Sequence, residues 1–152
     1  MEMARWPAYT MTVLFLGYGA GKAVFAAQGK LGFPGGPVVP AEEYARYARD
    51  VMNVTTAQWF AAANGLIGAA LFLSTVTRVG RRVPRPLMLA VLGLAFLGVG
   101  AGMVVMIADG FFGLGVGWRW YHGVLGIVVL GLMAATIRSY ARATTRRAGP
   151  AG

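Results

Sequence analysis

Residues 86–108 read PLMLAVLGLAFLGVGAGMVVMIA, a run of 23 residues without a charged side chain. A bilayer core about 30 Å thick needs roughly 20 helical residues to cross it, so this run is long enough to span a membrane. Three further apolar runs have similar lengths, at residues 8–28, 51–77 and 119–138. Because only helices satisfy their own backbone hydrogen bonds in lipid, the sequence predicts an all-α polytopic membrane protein, a bundle of four transmembrane helices.

The composition of the whole chain agrees with a membrane protein. The 152 residues are 57% hydrophobic and only 12% charged, whereas an average soluble domain is about 25% charged. A soluble fold of this size could not cover its surface with so few charges. We predict one membrane domain over residues 1–152, with an outer loop that contains a short helix at 29–50 and a flexible basic tail at 142–152.

The residue types that the chain lacks exclude several kinds of chemistry. Without cysteine there is no disulfide, thiolate nucleophile or cysteine-bound metal. With His122 as the one histidine, sites that need two or three histidines are excluded, and we predict no metal and no cofactor. Both serines, Ser74 and Ser139, fall at the opposite end of the predicted bundle from His122, which excludes a serine–histidine dyad within one chain.

The charges are distributed unequally between the two ends of the predicted bundle. One end has nine basic residues and one acidic residue, and the other has five basic and four acidic residues. Because lysine and arginine concentrate in cytoplasmic links, we predict a multi-pass protein of the cell (plasma) membrane with both termini cytoplasmic. The net charge of +9 is then explained by topology and by contact with membrane lipids, and no nucleic-acid partner is predicted.

An alternative interpretation of residues 8–28 is a cleaved signal peptide. The residues near its end, Phe25-Ala26-Ala27-Gln28, make a poor cleavage site, and Lys22 interrupts the apolar run. Loss of this segment would leave the other three helices with the same orientation.

Apart from the cytoplasmic arginines and Glu2, the acids and bases gather at the predicted outer end. Asp50, Asp109 and His122 are the candidate catalytic residues, since carboxylates and imidazole can transfer protons near neutral pH. The candidate substrate-binding residues would hold charge or line a cavity that descends from the outer end: Lys22, Asn53, Gln58, Asn64, Trp118, Arg119, Trp120 and Tyr121.

Structural explanations of the same residues stay open. Lys22 can extend to the lipid headgroups or pair with Asp50 or Asp109. Asn64, near mid-bilayer, can make an interhelical hydrogen bond. Trp118, Trp120 and Tyr121 can form an interfacial aromatic belt.

Small residues four positions apart recur in three of the helices. They form the pairs Gly17 and Gly21, Gly65 and Ala69, and Gly98 and Gly102. Such spacing lets two helix backbones approach closely. It predicts packing between helices of the same chain, with homodimerisation or a close-fitting ligand as alternatives.

Two short motifs carry a resemblance to known membrane proteins. They are Gly21-Lys22, followed by GKLGFPG at residues 29–35, and VGRRVP at residues 79–84. With four spans, the chain resembles the DoxX-like group of small bacterial membrane proteins and four-helix membrane proteins of actinobacteria. The resemblance implies the four-helix layout and no particular reaction.

Three functions follow from this pattern as hypotheses. The first is binding or conversion of a small lipophilic molecule, such as an isoprenoid, quinone or lipid, in an outward-facing pocket by acid–base chemistry of the isomerase or cyclase type. The second is a non-catalytic accessory subunit, in a homo-oligomer or a larger membrane complex. The third is a small transporter, although no acid lies deep within any predicted span.

Overall fold

The computed structural model of the chain describes residues 5–39, 42 and 52–145. That part of the chain contains four long helices: α1 (Trp6–Ala27), α2 (Val54–Ser74), α3 (Arg85–Phe112) and α4 (Trp120–Thr145). Each helix is long and apolar enough to cross a membrane. The prediction of four membrane-spanning helices is therefore confirmed at the level of length and composition.

The helix ends differ from the predicted spans for local reasons. α2 begins at Val54 because Asn53 caps it, its side-chain oxygen accepting a hydrogen bond from the Thr56 amide at 2.8 Å. α3 continues past Asp109 to Phe112, where Gly113 adopts a left-handed conformation with φ of 67° and ends the helix. α4 continues to Thr145, so residues 142–145 of the expected flexible tail are helical.

The helices pack as two antiparallel pairs, which contact each other through α1 and α4. α1 lies along α2, α3 lies along α4, and α1 also contacts α4. The largest apolar cluster lies where α1 and α3 begin and α2 and α4 end, which we call the terminal end: Met11, Phe72, Met88, Leu92, Leu132, Met133 and Tyr140. The opposite end of the bundle, where α1 and α3 end, carries the polar residues of interest.

Glycine allows the close approach of α1 and α2. A Cβ atom on Gly65 would lie 2.7 Å from the Gly19 Cα atom, and one on Gly19 would lie 3.1 Å from the Ala62 carbonyl oxygen. Gly65 and Ala69 are both buried in α2, as predicted for packing within the chain. By contrast, Gly17, Gly98 and Gly102 have open space around the position of a Cβ atom.

A short β-hairpin, which the sequence analysis did not predict, follows α1. Its strands β1 (Leu31–Gly32) and β2 (Val38–Val39) are antiparallel, with Leu31 opposite Val39 and Gly32 opposite Val38. The turn between them contains Gly35 at a positive φ of 81°, a conformation that favours glycine. We call the end of the bundle that carries this hairpin the hairpin end. The helix expected in the outer loop lies outside the described residues, except for Glu42.

Candidate functional site

Asp109 is the acid that α3 brings to the hairpin end. The residue is only 2% exposed. Its carboxylate accepts hydrogen bonds from the backbone amides of Val116 at 3.1 Å and Trp118 at 2.6 Å. Bonds between a charged acceptor and backbone donors are stronger than neutral ones. Asp109 therefore fastens the loop between α3 and α4 onto the end of α3.

Glycine in that loop makes this geometry possible. Gly113, Gly115 and Gly117 have φ angles of 67°, 88° and 101°, values that residues with a Cβ atom rarely adopt. The resulting bends turn successive backbone amides toward one point, as in other concave anion sites of the backbone. The anion at that point is the Asp109 carboxylate, which belongs to α3.

His122 joins the start of α4 to the hairpin. Its Nδ1 atom accepts a hydrogen bond from the Arg119 amide at 3.1 Å, and its Nε2 atom lies 3.1 Å from the Gly35 carbonyl oxygen. Because Nδ1 accepts, the neutral ring carries its proton on Nε2 and donates it to Gly35. Both nitrogens are thus bonded to backbone groups.

Lys22 and Gln58 bond to the backbone at the first strand of the hairpin, β1. The Lys22 Nζ atom donates to the Gly32 carbonyl oxygen at 2.8 Å. The Gln58 Nε2 atom donates to the carbonyl oxygens of Lys30 at 2.8 Å and Gly32 at 3.0 Å. Since Gln58 is only 1% exposed, its amide is a buried polar group that the hairpin backbone satisfies.

The aromatic residues of the site differ in their exposure. The Trp118 ring lies edge-on to the His122 ring, with centroids 5.0 Å apart, and a Cβ atom on Gly36 would lie 2.9 Å from the Trp118 ring. Trp118 thus packs under the hairpin turn. Trp120 and Arg119 are exposed on the outside of the bundle. Tyr121 is 46% exposed, and its ring also packs against the His122 ring, with centroids 4.2 Å apart.

The structure brings together only part of the predicted site. Lys22, Gln58, Trp118 and His122 surround the hairpin, and Asp109 lies beneath the neighbouring loop. Tyr121 contacts His122 from the outside, and Arg119 and Trp120 are exposed. The other three predicted residues are placed elsewhere or are not described: Asn53 caps α2, Asn64 is exposed halfway along α2, and Asp50 lies outside the described residues.

The partners that sequence reasoning missed are backbone carbonyl groups of the hairpin. Lys30, Gly32 and Gly35 supply the oxygens that accept from Lys22, Gln58 and His122. The turn sequence FPGG at residues 33–36 was the one available signal of a tight turn at this place.

The chemistry that this arrangement offers is limited by those bonds. Asp109 and His122 are engaged with backbone groups, and in the described part of the chain no three His, Asp or Glu residues are grouped closely enough to hold a metal ion. An apolar groove of about 330 Å³ lies closer to the terminal end, lined by Phe96, Ala134, Ile137 and Arg138. This groove contains none of the predicted site residues.

Comparisons with protein families, curated proteins and solved structures found no match for this chain. The resemblance to the DoxX-like group therefore stays a prediction.

Proposed function

We propose that this protein is a non-catalytic subunit that acts through helix–helix association within a membrane. The observation that carries the proposal is the hydrogen bonding at the hairpin end. Lys22, Gln58, Asp109 and His122 each bond to the backbone of the hairpin or the adjacent loop. Side chains that a substrate would need are thereby used to hold the fold.

The acid–base function predicted from the sequence requires a carboxylate or imidazole that is free to face a substrate. Asp109 is nearly inaccessible and accepts from two backbone amides. His122 has one nitrogen on Arg119 and the other on Gly35. A proton transfer through either residue would first have to break contacts that position a loop, which favours the non-catalytic alternative.

The sides of the bundle support association better than its polar end supports catalysis. Large apolar side chains point away from the chain on the sides of the bundle, among them Val13 on α1 and Leu66 and Ile67 on α2, all at least 60% exposed. In a bilayer, lipid covers such surfaces as well as protein does, so specific association depends on close packing and on polar contacts between helices.

The mass of the protein in its native membrane tests this proposal. We suggest solubilising membranes in a lipid-preserving polymer and weighing the particles, or counting photobleaching steps of a chain with one fluorophore. The expected result is a particle with a fixed number of protein chains. It should contain at least two chains, either two copies of this chain or this chain with another protein. Particles that contain a single 16.0-kDa chain together with one equivalent of a quinone or isoprenoid would overturn the proposal and favour the lipophilic-ligand function.

A further inference from the structure

Asn64 is a polar residue at the centre of an apolar helix that faces away from its own chain. α2 runs from Val54 to Ser74, so Asn64 lies ten residues from each end, or about 15 Å at 1.5 Å per residue. The residue is exposed. Within the described part of the chain, its amide has no hydrogen-bond partner.

That position is unfavourable for an amide in a lone chain. Near the middle of a bilayer the side chain can reach neither water nor the headgroups, and an amide without a partner in an apolar medium is costly. Buried polar groups in proteins nearly always have hydrogen-bond partners. A partner for Asn64 must therefore come from outside the described part of the chain and must itself lie at mid-bilayer depth.

The neighbours of Asn64 form a seam for a second helix. Phe60, Asn64 and Ile67 are spaced four and three residues apart, the spacing of the contact positions in a left-handed helix pair. Phe60 and Ile67 are 58% and 65% exposed. The same spacing leads to Ala57, which is half-buried, and to Leu71, which packs against the apolar cluster of its own chain, so the exposed seam consists of these three residues. Asn64 thus occupies a contact position of a regular seam.

We infer that this seam, residues Phe60, Asn64 and Ile67, pairs with the same seam of a second copy of the chain. Two copies inserted with the same orientation place their α2 helices parallel and their Asn64 residues at the same depth. A carboxamide has both a donor and an acceptor, so around a two-fold axis each Nδ2 group can donate to the Oδ1 atom of the other copy. A single asparagine at such a position fixes register and oligomeric state in soluble coiled coils.

This inference rests on the proposed function, because it names the partner and the face for the association proposed above. A different protein could satisfy Asn64 only if it carried a polar group at the same depth. Self-pairing requires no additional group, which is why the second copy is the occupant that we favour.

Disulfide cross-linking in native membranes tests the seam directly, because the chain has no cysteine of its own. Ile67→Cys places a thiol on the seam, and Leu97→Cys is the matched control. Leu97 is 69% exposed, compared with 65% for Ile67, and it lies near the middle of α3. Under mild oxidation we expect Ile67→Cys to form a dimer of the 16.0-kDa chain, while Leu97→Cys forms only the background level.

Substitution of the amide tests whether Asn64 causes the pairing. Asn64→Leu in the Ile67→Cys chain should weaken dimerisation about tenfold, the scale expected for loss of two interhelical hydrogen bonds. Asn64→Gln, which retains the amide, should keep most of the cross-link. Because leucine is well suited to a lipid-facing position, the thermal stability of the Asn64→Leu chain should not decrease, so a weaker cross-link would not reflect misfolding.

Several results would overturn the inference. Equal cross-linking of Ile67→Cys and Leu97→Cys would indicate random collision, and an unchanged cross-link in Asn64→Leu would exclude a role for the amide. An adduct of Ile67→Cys with a different protein would refute self-pairing while the proposed function stands. Single-chain particles in the mass measurement would refute both.

Discussion

Asp109 has the most hydrogen bonds to backbone amides of any side chain described at the hairpin end. The carboxylate accepts from the amides of Val116 and Trp118, and three glycines with positive φ bring the loop around it. Two of those glycines, Gly115 and Gly117, immediately precede the two donor residues. The acid and the glycines thus form one unit that shapes the connection from α3 to α4.

Asp109→Asn should destabilise the protein through this loop. The substitution keeps the shape of the side chain but removes its charge and presents an NH₂ group to one of the two backbone donors. Hydrogen bonds to charged groups contribute about 1.5–3 kcal/mol each, so we expect a free energy of unfolding lower by about 2 kcal/mol. Denaturant unfolding in detergent measures this change.

Glu42→Gln provides the control for Asp109→Asn, since Glu42 is an exposed acid whose loss changes the net charge equally. Its free energy of unfolding should stay within about 0.5 kcal/mol of the wild type. Equal stabilities of Asp109→Asn and the wild type would show that the loop does not depend on the carboxylate.

Some glycines of the helices lie at close helix–helix contacts, and others lie on the surface of the bundle. Gly19 and Gly65 bring α1 and α2 together with backbone atoms in direct contact, and Gly110, Gly123 and Gly126 do the same for α3 and α4. Gly98 and Gly102 are four residues apart, like Gly65 and Ala69, yet no atom of the described part of the chain lies within 4 Å of a Cβ atom built on either glycine. The same motif can therefore lie inside the bundle or on its surface.

Gly65→Ala should separate α1 from α2, whereas Gly98→Ala should leave the fold intact. A Cβ atom on Gly65 would meet the Gly19 backbone at 2.7 Å, and one on Gly98 would meet nothing within 4 Å. Because backbone cannot move aside as a flexible side chain can, we expect Gly65→Ala to lose about 1–3 kcal/mol of stability. Thermal unfolding in detergent compares the two variants, and equal melting temperatures would contradict this packing.

The sequence predicts the helices and not the hairpin for a physical reason. Runs such as residues 86–108 are long, apolar and uncharged, and lipid leaves the backbone few alternatives to a helix. β1 and β2 have two residues each, too few to show the alternation by which strands are recognised. What holds them is contact with Lys22, Gln58 and His122, a tertiary effect.

The candidate site was predictable in its location and not in its bonding. Lys22, Gln58 and His122 do lie at one end of the bundle, as the order of helices along the chain requires. Their partners are carbonyl oxygens of Lys30, Gly32 and Gly35. Every residue has such an oxygen, so residue types could not identify which ones accept. The outward orientation of Asn64 likewise depends on the rotation of α2 against α1, which residue spacing alone does not determine.

At the scale of the whole molecule, the two ends of the bundle differ in charge and in packing. The terminal end has the apolar cluster around Phe72 and Leu92 and is surrounded by arginines of the links and helix ends. The hairpin end has the hydrogen-bonded polar residues, and among the described residues its three bases, Lys22, Lys30 and Arg119, face two acids, Glu42 and Asp109. The described part of the chain therefore carries most of its net positive charge at the terminal end.

This asymmetry predicts that the terminal end faces the cytoplasm, because lysine and arginine in short links are retained on that side. Two single-cysteine variants report the orientation. Val79→Cys lies in the link between α2 and α3, where Val79 is 66% exposed, and Pro34→Cys lies in the exposed hairpin turn. In intact cells a membrane-impermeant maleimide should label Pro34→Cys at once and Val79→Cys only after permeabilisation. The opposite pattern would invert the assignment.

If the link arginines cause the orientation, replacing Arg78, Arg81, Arg82 and Arg85 by glutamine should make a measurable fraction of Val79→Cys accessible in intact cells.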